Sequence, residues 1–176
     1  MVFGRKGDAR LAARLSEMGP SDILVDIGCG PGVAVRDAAR SCAMVTGVDP
    51  APVMLRMARL LSRRRANVRY VEGTAEAIPL PESCASVAWS IATVHHWSDI
   101  DAGLGEVRRV LRPLGRLVAM ERRTQHGARG LGSHGWTDEQ ASSFAERCLE
   151  HGFGDVRVER TNIGRRSTVS VVARAP

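Results

Sequence analysis

The sequence predicts an α/β protein. Its core is a doubly wound sheet of about seven strands, mostly parallel with one antiparallel strand near the C-terminus. Three observations carry this. Short apolar runs at 23–27, 44–48, 68–71, 87–92 and 116–120 alternate with helical patterns. The first run ends in a glycine turn, Gly28-Cys29-Gly30-Pro31-Gly32. A last helix and two more strand-like segments follow the fifth run. Such alternation argues for parallel strands joined by helical crossovers.

Residues 8–18 read as a helix capped by Asp8, with Leu11, Leu15 and Met18 on one face and Gly19-Pro20 as its stop. The run 23–27 is a buried strand, and a helix follows over 33–42. The second strand, 44–48, closes on Asp49-Pro50. A helix over about 51–65 puts Met54, Met57, Ala58 and Leu61 on one face. The third strand, 68–71, leads to Gly73 and a proline-bearing loop over 74–83. After the fourth strand, 87–92, Ser98 or Asp99 caps a helix carrying Leu104, Val107 and Leu111. The fifth strand is 116–120. Thr137-Asp138-Glu139-Gln140 is a capping box opening a helix with Ala141, Phe144, Ala145 and Cys148 inward and Gly152 at its end. Residues 156–159 and 168–172 read as the final strands.

A chain of 176 residues is expected to form a single domain over 1–176, with the core at 20–122 and a helix and two strands over 123–176. No apolar run approaches the roughly 18 residues of a membrane span, and 1–10 holds no secretory h-region. Cys29, Cys42, Cys84 and Cys148 lack C-x-x-C spacing, which argues against a zinc knuckle and for reduced thiols in a cytoplasmic protein. Net charge is +6, and of the 25 basic residues all but Lys6 are Arg. Such an excess invites a nucleic-acid reading. The arginines, however, are scattered apart from Arg63-Arg64-Arg65, and aromatics are only 4%. No phosphate-binding stripe or base-stacking platform results, so a nucleic-acid partner is not expected.

In a doubly wound sheet, ligands bind where the strands end at their carboxyl termini. The glycines after the first strand let backbone approach a ligand. Asp49 ends the second strand 21 residues after Gly28, which suits a carboxylate accepting both hydroxyls of a ribose. The dinucleotide fingerprint requires a third glycine where this chain has Val33. Asp26, just before the turn, would repel a pyrophosphate but suits an ammonium group. The ligand expected is therefore S-adenosylmethionine, a nucleoside with an amino-acid tail and no phosphate.

Five blocks occur in the order of a known family: Val25-Asp26-Ile27-Gly28-Cys29-Gly30-Pro31-Gly32, Val45-Thr46-Gly47-Val48-Asp49, Val71-Glu72-Gly73-Thr74-Ala75-Glu76-Ala77-Ile78-Pro79, Val94-His95-His96-Trp97, and Val110-Leu111-Arg112-Pro113-Leu114-Gly115-Arg116-Leu117. Over roughly 20–122 the chain resembles class I S-adenosylmethionine-dependent methyltransferases. The likeness is to the small-molecule type that includes ubiquinone/menaquinone biosynthesis enzymes, which have a Rossmann-like fold. The resemblance implies that Asp26 meets the methionine amino group and that Gly28 and Gly30 lie along the methionine. It implies that Asp49 binds the ribose, that Pro50 flanks the adenine, and that Thr74 and Ala75 meet its edge. Ser90 to Thr93 would pass beneath the methionine.

Two positions depart from the family pattern. Thr74 replaces an Asp, and a neutral acceptor is weaker than a charged one, so modest cofactor affinity is expected. Ala85-Ser86 replaces Phe-Asp before the fourth strand, predicting looser packing.

The implied reaction is an in-line displacement that proximity and orientation largely drive. An acceptor that must lose a proton adds the need for a base, and His95 and His96 are the candidates. Glu121 is a candidate for the acceptor side. His126 and His134 lie in the Gly/His-rich stretch 122–135, which reads as a lid. No histidine spacing signals a metal, so none is expected. The acceptor is read as a small molecule. With about 20 residues before the first strand, the pocket is open or completed by a second subunit in a homodimer. The competing functions are an RNA methyltransferase and a non-catalytic binding protein that keeps the fold.

Overall fold

The computed structural model describes residues 6–125, 134–164 and 166–176. Among these residues five helices and seven strands follow one another: α1 (Lys6–Leu15), β1 (Ile23–Ile27), α2 (Val33–Ala38), β2 (Met44–Asp49), α3 (Pro52–Ser62), β3 (Val68–Glu72), β4 (Ala85–Ile91), α4 (Ile100–Val110), β5 (Leu111–Arg122), α5 (Asp138–Glu150), β6 (Gly154–Ile163) and β7 (Arg166–Arg174). A short 3-10 turn, Val94–His96, follows β4.

The strands form one sheet in the order β3-β2-β1-β4-β5-β7-β6. Pairings among β1 to β5 are parallel, and β7 runs antiparallel to both β5 and β6. The expected sheet, with one reversed strand near the C-terminus, is thus observed. The order reverses between β1 and β4, so their carboxyl ends open a crevice.

Strand alternation sorts the apolar side chains to two faces. Val25, Ile27 and Ala88 pack with Leu104, Val107 and Phe144 beneath α4 and α5. Leu24, Val45 and Trp89 pack with Ala12, Val35 and Leu55 beneath α1 to α3. The Trp89 indole, wholly buried, donates to Ser16 Oγ at 3.2 Å, which ties α1 to the sheet.

Several local expectations change. Asp8 lies in the first turn of α1, not at a cap, and its buried carboxylate pairs with Arg166. The inward face of α3 is Leu55, Ala58 and Ser62, while Met57 and Leu61 are exposed. That helix also carries exposed Val53 and Leu60, so its apolar residues surround it and periodicity alone cannot fix the phase. Asp99 is the cap of α4, accepting from Asp101 and Ala102 N–H at 2.9 and 3.0 Å. The Thr137–Gln140 capping box forms as expected. Ser86 does not leave a gap: its hydroxyl donates to Asp22 at 2.6 Å and accepts from Ile23 N–H at 2.9 Å, joining β4 to β1.

Candidate active site

The crevice at the β1/β4 switch contains a cavity of about 330 Å³. That is within the size range of small-molecule sites. Its walls come from loops that sequence order scatters but the sheet brings side by side. Following the strand order, Asp49 ends β2, Asp26 and the glycine turn end β1, Thr93 and His95 follow β4, and Glu121 lies near the end of β5.

The three glycines of the turn stand in different surroundings. Gly28 has φ +75°, and a Cβ there would stand 2.6 Å from the Thr93 side chain. Gly32 packs against Tyr70, whose hydroxyl bonds Ser62 at 2.8 Å. Gly30 differs from both: nothing lies within 4 Å of where its Cβ would be, and it lines the cavity. Gly28, Cys29, Gly30 and Pro31 all line the cavity, and Gly30 is the one of the three glycines with open space at its Cβ position.

Asp49 is 8% exposed and holds the turn in place. One of its carboxylate oxygens accepts from Gly30 N–H at 2.8 Å and the other from Ala51 N–H at 2.9 Å. Each oxygen keeps a second lone pair for a hydroxyl donor. The α3 cap is Ala51, with no side-chain bond, so Asp49 is not a helix cap.

Asp26 is 2% exposed and lines the same cavity. Burial, and next the negative Asp49, push its carboxyl up to about 7. A buried acid of this kind regains its ionised form when a cation arrives. Cys29 also faces the cavity, where burial and the two aspartates push its thiol up and disfavour the thiolate.

Across the cavity, His95 Nδ1 lies 3.0 Å from both oxygens of Glu121. The Glu121 side chain is fully buried, and it also accepts from His95 N–H at 3.4 Å. The hydrogen bond His95 makes to Glu121 raises the His95 pKa above its ordinary value, against the opposing effect of burial. His96 is exposed and held below the usual range by burial and by His95. His134 joins the pair, its ring 5.5 Å from His95 and 6.2 Å from His96. His126 lies outside the described residues.

Not every expected residue lines this cavity. Ser90 is fully buried behind the wall, 2.7 Å from Thr93 Oγ1. Thr93 gives its proton to Ile27 C=O at 2.9 Å, so Ser90 is the donor of that pair. Ile91, Ala92 and Thr93 form the wall instead. Pro50 and Thr74 are exposed and Ala75 is in the core, all outside the lining. Pro50 follows Asp49 in the chain, and Gly73 N–H reaches Asp49 C=O at 3.3 Å, which brings the start of the loop after β3 to the end of β2. Met54, Arg122 and Arg166 line the cavity unforeseen. Met54 follows Asp49 closely enough to have been found from the loop-after-strand rule. Arg166 comes from β7, beyond any motif, and had no sequence signal.

A three-layer α/β sheet with its ligand cavity at the switch point, a buried acid before a glycine turn and a second acid after β2 defines a nucleoside-binding enzyme class. Residues 25–119 match the family described as "Methyltransferase domain", and the chain belongs to that family. The cofactor of the family is S-adenosylmethionine. The chain is 39% identical over 108 residues to malonyl-[acyl-carrier protein] O-methyltransferase of Serratia marcescens, covering 60% of this chain and 41% of the relative. It is 32% identical over 112 residues to demethylmenaquinone methyltransferase of Tropheryma whipplei, covering 64% and 46%. The chain thus spans less than half the length of these curated relatives. The structure of a SAM dependent methyltransferase from Aquifex aeolicus superposes with TM-score 0.80 at 17% identity, covering 96% of this chain and 90% of that one. The fold, not the chemistry, is what that likeness shows.

Proposed function

We propose that this chain transfers a methyl group from S-adenosylmethionine to a small-molecule acceptor by in-line displacement. The observation that carries the reading is one cavity with two chemically distinct sides. Asp26, Asp49 and the open backbone of Gly30 stand on one side, and His95 backed by Glu121 on the other. When bound, S-adenosylmethionine supplies an electrophilic methyl group on a sulfonium. It fits the residues present, since the buried carboxyl of Asp26 suits an ammonium, and the guanidinium that reaches the turn, Arg36, is engaged by Pro31 C=O at 2.6 Å.

In this reading Asp26 ionises and holds the ammonium. Asp49 accepts from the ribose hydroxyls while keeping the turn fixed. Gly28 and Gly30 shape the backbone beside the methionine part, with Ser90 supporting Thr93 from behind. Pro50, Thr74 and Ala75, on the adjoining loops, border the adenine. His95 takes the acceptor's proton at Nε2 because Glu121 occupies Nδ1, and His96 flanks the acceptor.

The small-molecule acceptor is favoured over a nucleic acid by where the arginines go. Arg116, Arg123, Arg147 and Arg166 are spent on Asp22, Asp138, Asp101 and Asp8. We read the chain as one domain working in the cytoplasm, as its four free cysteines support. Among the described residues no helix is long and apolar enough to cross a membrane. In this reading the acceptor side is either open or covered by a second subunit in a homodimer.

The test is transfer of labelled methyl from S-adenosylmethionine to a metabolite extract. Label should enter a small organic product with wild type and fall to background with Asp26→Asn and Asp49→Ala together. Label appearing in RNA, or cofactor binding without transfer to any pool, would overturn the reading.

A further inference from the structure

We propose that His95, His96 and His134 form a binding site for a divalent transition metal of the zinc, cobalt or nickel type, open to the cavity. Each of the three residues offers one nitrogen, and these nitrogens all lie within 4.8 Å of one another. The rings already cluster, with His95 and His96 centroids 4.0 Å apart. A tetrahedral zinc ion at about 2.0–2.1 Å from each nitrogen sets them about 3.3 Å apart, so the rings need to draw together by up to about 1.5 Å. His96 and His134 are exposed, so their side-chain torsions are free to make that change.

An independent feature supports it. A metal-binding imidazole characteristically uses one ring nitrogen for the ion and gives the other N–H to a carboxylate, which fixes ring and tautomer. Glu121 does this for His95, with both oxygens 3.0 Å from Nδ1 and a fully buried side chain. Nε2 of His95 is then the nitrogen left for the ion. Three imidazoles without a carboxylate ligand select zinc, cobalt, nickel or copper over magnesium or calcium. All three histidines line the cavity, so a fourth coordination position faces the space assigned to the acceptor. Histidine spacing alone conceals the cluster, because His134 lies far along the chain from His95 and His96.

Metal binding at this site requires no methyl donor, so it stands apart from the proposed transferase function. The two meet at one atom. Nε2 of His95 cannot hold a metal and take a proton together, so an occupied site slows a transfer that needs the base.

The experiment is titration of tag-free protein with Co²⁺, read by visible absorption, without cofactor. One equivalent should produce the bands of a tetrahedral nitrogen-ligated ion, and added Zn²⁺ should abolish them. His96→Ala and His134→Ala should each weaken binding at least tenfold, and Glu121→Gln on the order of tenfold to a hundredfold. His151→Ala, whose histidine pairs with Asp101 instead, should change nothing. Unchanged far-ultraviolet dichroism shows that the variants remain folded. No bands at a large excess of Co²⁺, or equal affinity in wild type, His96→Ala and His134→Ala, would overturn the site. A failure of methyl transfer would leave this titration unaffected.

Discussion

Glu121 offers both carboxylate oxygens to Nδ1 of His95, each at 3.0 Å, from the end of the neighbouring strand. This contact fixes which imidazole nitrogen faces the cavity, and it raises the pKa of the ring. A base must be unprotonated to act. Turnover should therefore fall as pH drops through the raised His95 pKa. Glu121→Gln removes the charge that favours the imidazolium, so the acid limb should move to lower pH. His95→Ala should lower kcat on the order of a hundredfold with little change in KM for the cofactor. A pH–rate profile of the three proteins checks this, and identical acid limbs in wild type and Glu121→Gln would count against it.

Asp26 carries the opposite linkage. Its pKa rises from 3.8 to about 7 without ligand, so between these values the folded protein holds a proton that the unfolded chain has released. Unliganded stability should then decline as pH increases from about 4 through about 7. An ammonium ligand binds the ionised form, so cofactor affinity should grow over the approach to pH 7 and level off above it. Asp26→Asn should flatten both trends, raise the melting temperature of the unliganded protein at pH 8, and weaken cofactor binding at least tenfold. Calorimetry and thermal melts over pH 5–8 give the answer.

The glycines separate stability from binding. Gly28→Ala adds a Cβ 2.6 Å from Thr93 at a left-handed backbone position. It should cost about 1–3 kcal/mol of stability by strain. Gly30 also has φ +52°, so Gly30→Ala carries backbone strain as well, but its Cβ meets no protein atom within 4 Å and adds to the cavity lining. It should cost less stability than Gly28→Ala and weaken cofactor binding more. Equal stability losses with equal affinities would remove the distinction.

Ser86 offers a check on the packing between β1 and β4. Ser86→Ala deletes the donor to Asp22 at 2.6 Å and the acceptor for Ile23 N–H. The expected loss is about 1–2 kcal/mol, measured by urea denaturation, with cofactor affinity unchanged.

Much of this architecture was legible because β-α alternation, a capping box and glycine turns are local signals. The phase of α3 was not. Apolar residues at Val53, Met57, Leu60 and Leu61 are exposed there, and only packing on the sheet selects Leu55 and Ala58. The strands β6 and β7 run longer than their apolar runs because pairing continues through polar pairs such as Thr161 with Thr168. At the site, Asp26, Gly30, Asp49, His95 and Glu121 could be placed together because the topology dictates which loops meet. Ser90 could not be separated from Thr93, since which of two neighbouring hydroxyls faces a cavity depends on the local turn. Arg166 and His134 reach the cavity only through tertiary packing, and no short-range pattern announces that.

The central claim is that the cavity between β1 and β4 binds S-adenosylmethionine through Asp26 and Asp49. Calorimetric titration of the cofactor into wild type, Asp49→Ala and Asp26→Asn at pH 8 tests it most directly. The account predicts a single site in wild type, weakened at least tenfold by either substitution in proteins that stay folded. No heat of binding in wild type, or equal affinity in all three proteins, would contradict it.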